Sequence, residues 1–386
     1  MKRLDYFAVL FVLLISGGFF FYHVYGLVFQ SLFLLFAFFY KSTKHGKVSK
    51  YNQFVFLFLG IIYLFNFIIH DPVIPSFAFN ITISYILLLF SSSLIFSSIS
   101  KHAFTVALFK IVPIMAAVSI GLELLVESGV IHPSMISANG ASKYTFLLHV
   151  FGNPNGLWER LAGIYWEPGA YQVILSTTIF LCLDEAYAIK ESKHTILKFL
   201  VLLVAIVMTK STAGYLTLMF LMLFASSRFL KEKKKWRLVS FFGIFLAFAV
   251  IFPIIIQSET IQGKFAQEGN EGTSYAIRYN DNMGMLQMIK EKPLVGYGLG
   301  ESFSARSSAV DNQASSNGIL KMTSNYGIIY LLIILYFVSL CSKEYNSRRW
   351  VVLSFFILIN FFEVFMFFPF MGIFYFKFLR ERNCIV

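Results

Sequence analysis

The sequence predicts an all-α fold: a polytopic bundle of about 11–12 transmembrane helices, with two long external loops containing short helices. Hydrophobic residues make up 58% of the 386 positions and aromatic residues 18%, while only 13% are charged, which is too apolar for one water-soluble core. Apolar runs long enough to cross about 30 Å of hydrocarbon recur along most of the chain. Basic residues fall on alternate connections between those runs.

In chain order the runs are 5–21, 24–40, 52–69, 77–99, 104–126, 169–189, 195–209, 213–230, 237–256, 318–340 and 350–368. A final run, 369–380, reads as a twelfth span or a half-helix. Lys2 and Arg3 precede the first run as in a secretory signal. Ser16-Gly17-Gly18, however, leads into more apolar residues with no clear cleavage site, so this run is expected to stay as the first span.

The formal charge of +12 is explained by orientation. Lys2 and Arg3, the run 41–50, Lys101 and Lys110, the turn 190–198, the run 228–237, Lys343 with Arg348 and Arg349, and the C-terminal tail share one side if the N-terminus is cytoplasmic. About 23 of the 32 Lys and Arg then lie inside, as the positive-inside rule requires. Nucleic acid is therefore not an expected partner. The chain reads as a single membrane domain, 1–386, whose long polar connections 127–168 and 257–317 are the first and second external loops. Long loops among short turns are where chemistry is expected. The 3 cysteines form no disulfide framework, and the 7 histidines show no metal-ligand spacing, so neither metal nor cofactor is expected.

In the first loop, Asn153 is placed to cap a helix that opens on Pro154 and ends near Pro168. On such a helix Arg160, Gly163 and Glu167, at i, i+3 and i+7, share one stripe: a cation, a gap for a ligand and a carboxylate. The alternative is an interfacial helix with a snorkelling arginine. Tyr165, Trp166 and Tyr171 are expected at headgroup level.

In the second loop, Thr273 or Ser274 caps a helix that runs to about Lys290, before Lys292-Pro293 and the turn GYGLG. Tyr275, Tyr279, Met283 and Leu286 fall near one side, with Arg278 and Asn282 beside them. The helix is suited to lie on the membrane and present Arg278 to a cavity, although Arg278 with Asp281 also reads as a solvated pair. Between spans seven and eight, Met208 to Gly214 places Lys210, Ser211 and Thr212 at a helix start, which reads either as an anion site or as interfacial anchoring.

Four segments resemble the Wzy-like group of membrane glycosyltransferases, which comprises O-antigen and capsule repeat-unit polymerases and O-antigen ligases. RLAGIYWEPGA, Arg160 to Ala170, is similar to that group's R-x-x-G-x-x-x-E-P segment. MTKSTAGYL, Met208 to Leu216, resembles its Ser-rich span start. RYNDNMGMLQMIKEKPLVGYGLG, Arg278 to Gly300, resembles its Arg-bearing helix and P-L-x-G-x-G turn. SNGILKMTSNYGIIYLL, Ser316 to Leu332, resembles its H-N-x-x-L segment, with Ser316 where the ligase branch has histidine.

The resemblance implies a polymerase in the bacterial cytoplasmic membrane that joins undecaprenyl-pyrophosphate-linked oligosaccharide repeats at the outer face, in contact with membrane lipids. A flippase and a chain-length regulator would act beside it. It implies Glu167 as catalytic base, Arg160 and Arg278 on the pyrophosphate, Lys210 and Ser211 supporting them, and Asn317, Gly163 and Tyr279 lining the substrate site. An O-antigen ligase, or a lipid-linked oligosaccharide flippase or other transporter, is the alternative. Because the informative residues cluster at outer helix ends rather than inside spans, a transport path is the weaker reading.

Overall fold

The computed structural model describes residues 3–16, 20–44, 47–70, 75–138, 141–151, 160–185, 194–229, 274–299 and 317–379. Helices dominate: α1 (Arg3–Ile15), α2 (Phe20–Thr43), α3 (Lys50–Ile69), α4 (Pro75–Phe96) and α5 (Lys101–Glu127) come first. They are followed by α6 (Pro168–Asp184), α7 (Thr195–Met208), α8 (Thr212–Phe229), α9 (Ser274–Glu291), α10 (Gly318–Cys341), α11 (Arg349–Phe362) and the single turn α12 (Gly372–Tyr375). Every expected span but one coincides with a helix; 237–256 lies outside the described residues.

By length and composition, Gly26–Thr43, Lys50–Ile69, Phe79–Phe96, Lys101–Glu127 and Gly318–Glu344 are able to cross a membrane, and three shorter apolar helices accompany them. Local signals set the boundaries. Ser100 accepts from the Ala103 N–H at the start of α5, Asn317 accepts from the Leu320 N–H at the start of α10, and Pro168 occupies the first turn of α6.

Burial sorts the helices. α3 buries Val55, Leu59 and Tyr63 while Phe54, Leu57, Ile61, Leu64, Phe65 and Ile68 stand exposed, the pattern of a helix with one face toward lipid. From Gly169 to Asp184, α6 is buried at every position but Leu183, so it is the centre of the bundle.

The end bearing the N-termini of α5 and α1 is stapled by ionic contacts. Lys101 Nζ reaches Asp184 at 2.9 Å and Glu185 at 3.1 Å, and Asp184 also receives the backbone N–H groups of Asn346 and Ser347. Nearby Tyr40 donates to Asp5 at 2.7 Å, and Lys44 pairs with the same carboxylate at 2.6 Å.

Two elements differ from expectation. The first long loop holds a three-stranded antiparallel sheet, β1 (Ser134–Ala138), β2 (Ala141–Phe146) and β3 (His149–Phe151), in the order β1-β2-β3, and residues 160–167 form no helix. The last span ends at Phe362 rather than 368. From Glu363 the chain runs back through the bundle as a series of turns, with a 3-10 turn at Pro369–Met371 and α12, and Phe365 to Phe376 is buried except at Phe368.

Such backbone is stable at membrane depth only where protein satisfies it. Here Ser16 Oγ accepts from the Phe370 N–H, the Tyr345 hydroxyl donates to the Ile373 carbonyl, and Asn52 bonds both backbone groups of Lys377. The expected twelfth span or half-helix is thus a buried crossing with one helical turn.

Candidate functional site

At the end of the bundle that carries the sheet, four helix ends meet two loop segments. The first meeting point is the α7–α8 turn. Lys210 adopts φ +45°, which lets the chain reverse, and Ser211 Oγ accepts from the Gly214 N–H to cap α8. Residues 160 and 161 lie against this turn. The Leu161 N–H donates to the Met208 carbonyl at 3.0 Å, and Arg160 Nε donates to the Thr209 carbonyl at 3.3 Å. A cation is thereby fixed over the negative end of α7 and beside the positive start of α8. Arg160, Lys210 and Ser211, far apart in sequence, share one place.

The expected stripe of Arg160, Gly163 and Glu167 on a helix is replaced by irregular chain. Gly163 takes φ +64°, and its carbonyl accepts from the Val150 N–H at 2.7 Å, which ties the loop to β3. A Cβ on Gly163 would lie 2.8 Å from the Tyr171 ring, so aromatic carbon fills the space expected to admit a ligand. Tyr165 is buried and donates to the Leu13 carbonyl at 3.2 Å; burial, then the neighbouring Tyr171, pushes its phenol well above the ordinary value. Of the three aromatics expected at headgroup level, only Trp166 remains partly exposed, with Lys143 Nζ 5.7 Å from its ring.

Glu167 stands exposed immediately before α6 and makes no side-chain cap bond there. A second carboxylate does approach that helix start. Glu363 packs so closely on Gly169 that a Cβ on the glycine would lie 1.5 Å from Oε1, and its backbone carbonyl would lie 2.3 Å from a Cβ on Gly318. Glu363 therefore joins the beginnings of α6 and α10, and so places Asn317 near Glu167. Sequence reasoning missed Glu363 because it fell inside an expected span, although an acidic residue in such a run is itself a signal. The first turn of α6 links both meeting points, since Gln172 Cβ packs against Gly214.

Arg278 and Tyr279 lie on α9. Tyr279, Met283 and Leu286 are exposed while Asp281, Met285 and Met288 are buried, so α9 turns an apolar face outward, as a helix lying on a membrane would. The Arg278 side chain lies outside the described residues.

The fold and site define a class: a polytopic helical membrane protein with polar and charged groups collected at one end of the bundle. Residues 197–335, from α7 through most of α10, match the family model described as O-antigen ligase. The match carries three of the four resembling segments and supports an enzyme of the membrane glycan-transfer kind. No curated protein matches the chain.

Proposed function

We propose that this protein is a polymerase that joins undecaprenyl-pyrophosphate-linked oligosaccharide repeats into a surface polysaccharide at the outer face of the bacterial cytoplasmic membrane. The observation that carries the reading is the convergence at the sheet end. Arg160 and Lys210 sit at the turn that opens α8, and Glu167 and Glu363 sit at the start of α6, within a protein whose 197–335 stretch matches the O-antigen ligase family model.

In the proposed reaction, an acceptor sugar hydroxyl attacks the anomeric carbon of the donor. The carbon–oxygen bond to pyrophosphate breaks, and its electron pair leaves with undecaprenyl pyrophosphate. The hydroxyl proton passes to Glu167, and the anomeric configuration inverts. Arg160, Lys210 and Arg278 supply positive charge where the leaving group gains negative charge, with arginine suited to grip two phosphate oxygens at once. Ser211 supports the same group, and Asn317 and Tyr279 contact sugar.

The family match is equally compatible with a second reading, ligation of finished polymer to a terminal acceptor. A deletion strain separates the two. Loss of a polymerase leaves single repeat units, whereas loss of a ligase leaves long polymer attached to its lipid carrier. The glycan ladder, analysed together with the lipid-linked pool, gives the answer.

A further inference from the structure

α10 is broken in a particular way. Gly327 has φ +81° and ψ 171°, a conformation essentially restricted to glycine. In an unbroken helix the Ile328 N–H would donate to the Ser324 carbonyl. Both groups instead bond to the segment after α9. The Ile328 N–H donates to the Pro293 carbonyl at 2.8 Å, and the Ser324 carbonyl accepts from the Tyr297 N–H at 2.9 Å.

The fit is tight on every side. A Cβ on Gly327 would lie 2.0 Å from the Leu294 carbonyl oxygen, and one on Gly296 2.5 Å from the Asn325 carbonyl carbon. α3 closes the joint, since Asn66 Nδ2 donates to the carbonyls of Val295 and Asn325 at 3.1 and 3.2 Å.

We infer that residues 293–298 form a latch inserted into the break of α10, that this latch holds α9 in its working position, and that Gly327 is a positioning residue for transfer. The exchange of partners supplies the physical basis. Docked, the two groups of α10 bond to the latch; released, they bond to each other and α10 becomes continuous. An alanine at 327 disfavours the broken form and collides with Leu294, so it selects release. The inference rests on the proposed glycan transfer only for its effect on rate.

The test uses full-length protein in lipid nanodiscs with Cys384→Ser and spin labels at Lys290→Cys on α9 and Ser128→Cys beyond α5. The parent should give a narrow distance distribution, and Gly327→Ala a broad or displaced one at unchanged membrane abundance. Asn66→Ala, which leaves the glycine conformation alone, should broaden it less. With lipid-linked repeat units as donor, Gly327→Ala should lower kcat on the order of 10²-fold, the scale expected when reacting groups are displaced by about an ångström. An unchanged distribution overturns the latch, and a broadened one with undiminished kcat overturns its role in positioning. Should the parent itself transfer nothing from this donor, the proposed reaction fails, and the label distances alone still decide the latch.

Discussion

Glu167 and Glu363 differ in what surrounds them, and their variants should differ accordingly. Glu167 is exposed and free of a capping role, so Glu167→Gln removes little from the fold. If it is the base, this change should lower transfer on the order of 10²-fold at normal protein level, leaving single repeat units and no ladder. An unchanged ladder at normal abundance would remove it from the mechanism. Glu363→Ala, by contrast, takes away the carboxylate packed on Gly169 while leaving the backbone carbonyl at Gly318, and should lower abundance as well. Asn317→Ala should cost about 1 kcal/mol through the lost cap on α10, while Asn317→Asp keeps the cap. Thermal unfolding of both reads the cap, and transfer by the Asp variant reads any contact with sugar. Arg160→Lys should lower transfer more than stability, because an ammonium lacks the planar fork that grips pyrophosphate.

Helices were legible from the sequence where hydrophobic length decides the outcome, whereas Pro168 reads in the sequence as a helix end and Asn317 as a substrate contact, and the structure places both at helix starts. Three features were not. The sheet at 134–151 was hidden because its strands are short, and a helix start at Pro154 was the more audible local signal. The crossing after Phe362 was hidden because a buried irregular segment is as apolar as a span, and the partners that satisfy its backbone, Ser16, Asn52 and Tyr345 among them, are distant in sequence. The break at Gly327 was hidden because one glycine in an apolar run does not reveal the Leu294 carbonyl that enters beside it. Two element-scale predictions follow from the contacts. Asp184→Ala leaves Lys101, 8% exposed, with Glu185 as a carboxylate partner but takes the acceptor from the Asn346 and Ser347 N–H groups, so the cost should fall below the roughly 3–5 kcal/mol of a fully stranded buried charge. Membrane abundance should fall while transfer per molecule holds. Glu291, at the end of α9, is held below the usual carboxylate range by the Tyr297 hydroxyl and then by Gln287. Its contribution to fixing α9 is present above the carboxylate's unfolded value and fades as pH falls through the lowered folded value. Amide protection in α9, taken relative to the intrinsic exchange rate at each pH, should fall on acidification in the parent and change less in Glu291→Gln.

The whole molecule has two unlike ends. One gathers the sheet, α9, the α7–α8 turn and the starts of α6 and α10; the other gathers Lys44, Lys101, Lys343, Arg348, Arg349 and Lys377 around the staple at Asp5 and Asp184. Lysine and arginine in short connections resist translocation, so the end richer in them should face the cytoplasm and the sheet end should face outward. That places the proposed transfer where a lipid-linked repeat unit arrives after it has been flipped, and it fixes a requirement that the site residues alone do not. Single cysteines in a Cys384→Ser background test it, since Cys182 and Cys341 are buried. A membrane-impermeant thiol reagent added to intact spheroplasts should label Lys290→Cys and Leu147→Cys, both at the sheet end, and should leave Lys47→Cys unlabelled until the membrane is opened. The reverse pattern would turn the bundle over, put Arg160 and Glu167 on the cytoplasmic side, and end the reading of this chain as an outer-face polymerase.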